Sequence, residues 1–181
     1  MKKSYGDIKE TIIAIIITII AAPLHELGHW FGYRVDDIPA VIGFNYTEPL
    51  GDAISIYGLL GGPVMSLTLA LAGVVALYIT EKNKDVWAYI TIIMCLTRLD
   101  TYLFSILGGV NTFYINDEGL IAKAMNLPVW MTYGIFLAAF LMIILAVVYK
   151  LRGRIREHIK KFKLAYILHF FVTIIFVIRI I

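Results

Sequence analysis

Two histidines and a glutamate, His25-Glu26-Leu27-Gly28-His29, close an apolar run that begins at Thr11. On a helix, His25 and His29 stand one turn apart on one face with Glu26 beside them. This is the H-E-x-x-H arrangement, in which two imidazole nitrogens hold zinc and the carboxylate activates a water. Ionisable side chains inside an apolar span are expensive, so their presence points to function. A catalytic zinc takes three protein ligands and keeps one position open, so a third ligand is expected elsewhere in the chain.

The surroundings of the motif are those of a lipid-embedded protein. The chain has 181 residues, of which 60% are hydrophobic and 16% charged, and its mean hydropathy is +0.83. That composition excludes an ordinary soluble domain. No polar stretch between the apolar runs is long enough for a second core, so one domain over residues 1–181 is expected. Cys95 is the only cysteine and lies in an apolar run, which excludes a disulfide or a cysteine metal cluster within one chain. The first apolar run carries the motif and has no small-residue cleavage site after it, so it reads as a retained helix rather than a signal peptide.

Hydrophobic pattern and breakers predict an all-α polytopic membrane protein with about five transmembrane helices and a short β-like hairpin or re-entrant segment after the first. The spans fall at Thr11–Tyr33, Gly61–Thr80, Val86–Leu107, Val129–Tyr149 and Leu164–Ile181. At about 1.5 Å per residue the first span covers a hydrocarbon core of about 30 Å with some tilt. Asp7 and Glu10 offer an N-terminal cap for it, and Pro23 predicts a kink just before the motif. Ala21, Ala22, Gly28 and Gly32 leave room for another backbone. The β-like pieces are residues 40–46 and 53–57, with 47–52 as the turn. Residues 110–128 form an irregular connection with a short amphipathic piece at Leu120–Met125.

The basic stretch 150–163 reads as a cytoplasmic loop facing anionic lipid, not as a nucleic-acid site. With Lys2, Lys3, Lys9, Lys82 and Lys84 it outweighs Arg34 and Lys123 on the opposite side. The positive-inside rule therefore predicts a cytoplasmic N-terminus, an outside C-terminus and a motif near the outer end of the first span, with the cell membrane as location.

Two aspartates qualify as the third ligand. Asp100 and His25 each lie about 21 Å from the cytoplasmic end of their spans, and Asp117 follows the Gly108-Gly109 break on the outer side. His158 falls in the basic stretch and His169 near the cytoplasmic end of the fifth span, away from the motif.

From His25 to about Pro128 the chain resembles the site-2 protease family of intramembrane zinc metalloproteases. The resemblance is carried by His25-Glu26-Leu27-Gly28-His29, the strand-like stretch, Gly62-Pro63-Val64-Met65-Ser66, and Leu103–Gly109 leading to Asn116-Asp117-Glu118-Gly119. Ser66 stands where that family often has Asn, and Asn-Asp-Glu-Gly replaces its Leu-Asp-Gly. The resemblance implies a core at 11–128 with accessory helices at 129–181, and one Zn2+ per chain held by His25, His29 and Asp117. Asp100 is the alternative ligand, and Glu118 a lesser one. It implies Glu26 as general base, with Ser66, Asn111 and Asn116 as candidate contacts to substrate or oxyanion. The implied partners are the bilayer and a transmembrane protein substrate, hydrolysed in or near its membrane segment. The competing expectations are a catalytically silent relative that binds transmembrane helices, which would tolerate His and Asp substitutions, and a metal carrier, which would want more ionisable residues along its spans.

Overall fold

A computed structural model describes residues 5–52, 54–108 and 110–178, with the side chains of 8–52, 54–108 and 112–175. Six α-helices dominate: α1 Tyr5–Val35, α2 Ile56–Ile79, α3 Lys84–Gly108, α4 Asp117–Ala124, α5 Val129–Lys150 and α6 Ile155–Ile178. A two-stranded antiparallel hairpin, β1 Ala40–Ile42 and β2 Thr47–Pro49, follows α1, and a 3-10 helix, Val110–Tyr114, precedes α4. Helices α1, α2, α3 and α5 are long and apolar enough to cross a membrane. Their outward faces carry exposed Ile12, Ile16, Val75, Ile79, Met142 and Leu145, which suits lipid as the surrounding solvent. This is a helical membrane protein.

Several boundaries differ from the sequence reading. Helix α1 begins before Thr11, so Glu10 lies within it rather than at a cap, and it runs through Pro23. The side chain of Asp7 lies outside the described residues. The second strand forms in the segment expected as the turn, pairing Ala40 with Pro49, Val41 with Glu48 and Ile42 with Thr47. Of the piece expected as that strand, Ala53 lies outside the described residues, and Ile56 and Tyr57 instead open α2. The cause is Ser55, whose hydroxyl accepts a hydrogen bond from Gly58 N at 2.7 Å and caps the helix. A short apolar run fits either period, and the cap decides it.

Most of the basic stretch is helical as well, because α6 starts at Ile155, and among the described residues α6 is not one of the four helices that meet the length and composition of a span. Helix α1 packs most extensively against α2. There a Cβ on Gly28 would collide with the Gly61 carbonyl, and one on Gly61 with that of Gly28, so the two backbones touch directly. Thr18 and Tyr89 share a buried 2.6 Å hydrogen bond between α1 and α3.

At the N-terminal ends of α1, α3 and α6, Lys161 Nζ lies 2.5 Å from Glu10 Oε2 and 3.3 Å from Asp85 Oδ2. Arg154 adds a 3.2 Å pair to Asp85. In the turn before α3, a hydrogen bond from Lys84 holds the Glu81 carboxyl below its ordinary pKa.

Candidate metal centre

His25 and His29 project from one face of α1 with their rings edge to face, centroids 4.8 Å apart. Asp117, the first residue of α4, comes up against both. His25 Nε2 lies 3.1 Å from His29 Nε2 and 3.1 Å from Asp117 Oδ2, and His29 Nε2 lies 3.4 Å from Asp117 Oδ1. Asp117 is thus brought to the histidine pair across 92 residues of chain.

The outer nitrogens favour one tautomer for each ring. His29 Nδ1 is 2.7 Å from the Gly58 carbonyl, which can only accept, so Nδ1 carries the hydrogen and a neutral ring presents a bare Nε2. Arg98 Nη1 donates to His25 Nε2 at 3.2 Å. A guanidinium only donates and the Asp117 carboxylate beside the same nitrogen only accepts. In the tautomer that takes the Arg98 hydrogen bond, His25 Nε2 is bare and Nδ1–H donates to Ser66 Oγ at 2.9 Å. Two lone-pair nitrogens and a carboxylate therefore converge on one point. Such groups repel one another unless a cation or a shared proton lies between them, and the Arg98 guanidinium already borders two of them.

The donor set fits zinc. Ligand atoms about 2.0–2.2 Å from a tetrahedral zinc stand about 3.3 Å from one another. Here the two nitrogens are 3.1 Å apart, His25 Nε2 is 3.1 Å from Asp117 Oδ2 and His29 Nε2 is 3.4 Å from the other oxygen, Oδ1, and one ligand atom from each residue falls within 4.8 Å of the others. Each imidazole is held by a partner on its far nitrogen, as in metal sites generally. Gly62 supplies the floor, since a Cβ there would overlap Nε2 of His29. Glu118 pairs with Arg98 behind the cluster, while the carboxyl groups of Glu26 and Asp117 face the cavity with the two histidines.

Glu26 is buried and lines the same cavity, about 380 Å³ in volume, as His25, His29 and Asp117. Residues 45–48 of the hairpin form part of its wall, and Thr47 Oγ1 donates to the Glu26 carbonyl at 2.9 Å, fastening β2 to the motif helix.

The remaining residues singled out in the sequence fall as follows. Ser66 is buried against His25, as described. Asn116 lines the cavity, but its Nδ2 is engaged by Ser105 Oγ and by Tyr133 Oη at 3.2 Å. Asn111 lies in the 3-10 helix, and its side chain is outside the described residues. Asp100 is not brought to the histidine pair. Its Oδ2 lies 3.1 Å from His169 Nε2 on α6, so it is a charge paired with a polar group on a neighbouring helix. Both helices beyond Pro128 reach the site: His169 lines the cavity, and Thr132 of α5 donates to the Glu118 carbonyl at 2.9 Å.

Sequence reasoning missed Arg98 as part of this centre. The available signal was an arginine inside an apolar span, which demands an acidic partner, together with the adjacent acids Asp117 and Glu118 in the following connection.

No protein-family model matches the chain, and no curated protein or solved structure is significantly similar to it. Fold and site together define a helical membrane protein with a buried cluster of two histidines and a carboxylate.

Proposed function

We propose that the protein is an intramembrane zinc metalloprotease that hydrolyses peptide bonds in or near transmembrane segments of membrane-anchored proteins. The observation that carries this reading is the convergence of His25 Nε2, His29 Nε2 and Asp117 on one point with Glu26 in the same cavity. The resemblance of the motifs to the site-2 protease family supports it.

His25, His29 and Asp117 would hold one Zn2+, with Ser66 and the Gly58 carbonyl turning both imidazoles toward it, and the bound ion would supply Lewis acidity toward water and the scissile carbonyl. Glu26 takes the proton of the attacking water as the C–O bond forms and returns it to the amine nitrogen as the C–N bond breaks. Thr18, Thr97 and Thr101 line the cavity and give water a polar lodging within an apolar bundle. The hairpin offers backbone groups to a substrate segment drawn out of its helix and paired as a strand. In the membrane the N-terminus is cytoplasmic, as the charge bias of the ends and loops indicates.

The test is zinc content and cleavage measured together on detergent-purified protein. The parent should carry close to one zinc per chain and cut at least one member of a panel of single-span membrane proteins in lipid vesicles. Glu26→Gln should keep the zinc and lose the cleavage, whereas His25→Ala should lose both. A parent that neither carries nor takes up zinc overturns the proposal.

A further inference from the structure

Arg98 touches the cluster on one side, with Nη1 also 3.2 Å from His25 Nε2, and the protein behind it on the other. Its Nη1 lies 3.0 Å from Asp117 Oδ2 and its Nη2 lies 2.6 Å from Glu118 Oε2. Glu118 is fully buried, and its other oxygen accepts the Tyr102 hydroxyl at 2.6 Å. Arg98 and Tyr102 are one turn apart on α3, while Asp117 and Glu118 open α4, so one planar fork joins a fixed helix face to two consecutive acids. Glu118 is also held from behind through its carbonyl by Thr132 of α5.

This arrangement solves a positional difficulty. His25 and His29 are set by one helix, but Asp117 follows a connection of irregular and 3-10 backbone, the kind of segment that places a ligand loosely. Packing alone would leave the carboxylate free to rotate about its own side-chain bonds. A guanidinium anchored on Glu118 removes that freedom, because its second nitrogen can meet Asp117 Oδ2 in one orientation only.

We infer that Arg98 is a positioning residue that, with Glu118 and Tyr102, presets Asp117 as the third metal ligand. The inference rests on the metalloprotease reading only in taking the cluster as a zinc site. It assigns Arg98 no contact with the reacting atoms.

The test measures zinc affinity by competition with a chelator, on the full chain in detergent, and records the visible spectrum of the cobalt-loaded protein, which reports ligand number and geometry. Arg98→Lys keeps the charge, so Glu118 is not left unpaired, but an ammonium cannot present two nitrogens in a fixed plane. The double variant Arg98→Met/Glu118→Gln removes the clamp without changing the net charge of the site. Removing such outer partners costs on the order of 10–100-fold in metal affinity. The double variant should fall in that range with an altered cobalt spectrum, and Arg98→Lys should be weaker than the parent by about tenfold. Zinc affinity within about twofold of the parent and an unchanged cobalt spectrum, in either variant, overturn the inference. If the double variant does not fold, Arg98→Lys alone decides. A parent that binds neither metal is a different failure, that of the zinc site itself.

Discussion

Gly62 and His29 meet so closely that a methyl group on the Gly62 Cα would overlap His29 Nε2, and it would crowd His25 Nε2 as well. The absence of a side chain at this position is what lets the two Nε2 atoms share one space beside α2. The expected consequence of Gly62→Ala is loss of most bound zinc, with a folding cost of about 1–3 kcal/mol for overpacking. Gly134→Ala is the control. A Cβ there meets nothing within 4 Å, so that variant should keep full zinc and melt no lower than the parent. Zinc content and thermal melts of the two variants check this.

Ser66 turns His25. Replacing it with alanine leaves Nδ1–H without its 2.9 Å acceptor and frees the ring to rotate. Zinc affinity is expected to fall by on the order of 10–100-fold while the helical circular-dichroism signal is unchanged. Chelator competition gives the first quantity and the spectrum the second.

The two aspartates separate cleanly. Asp117→Asn removes a donor from the cluster and should abolish stoichiometric zinc. Asp100→Asn alters the contacts with His169 and Thr173 on α6, so bound zinc should remain at the parent level. Measuring metal per chain for both variants distinguishes a ligand from a structural carboxylate.

Ser55 acts at one remove. Its hydroxyl caps α2 through Gly58 N and donates to Asp36 Oδ2 at 2.6 Å, and the Gly58 carbonyl orients His29. Ser55→Ala should cost about 0.5–2 kcal/mol, the usual range for an N-cap, and weaken zinc binding as well, since the first turn that carries Gly58 would fray. Unfolding midpoints with and without excess zinc reveal both effects, and a loss of stability alone would show that the capped turn does not control His29.

The sequence made some of this legible and hid the rest for identifiable reasons. His25, Glu26 and His29 lie within one helical turn and a half, so their relation follows from helix geometry alone. Asp117 is far along the chain, and spacing left it level with Asp100. Only the path of the backbone after Ser105 decides between them, because Thr112 and Asn116 both bond to Ser105 and bring α4 back to the site. Arg98 sits two residues from Asp100, and on a helix the two diverge: one meets Asp117 and Glu118, the other meets His169. That divergence was readable, but the destination of the arginine required the tertiary fold. The hairpin was legible as strand-forming composition, while its pairing shifted because Ser55 claimed the later residues for α2.

Glu10, Asp85 and Lys161 lie near the N-terminal starts of three helices that also supply walls of the cavity. The same helices are tied again along their length, Thr18 to Tyr89, Arg98 to His25 and Asp100 to His169. Together α1, α3 and α6 make one braced frame around the cavity, from which a charge reversal at the ionic joint would remove one brace among several.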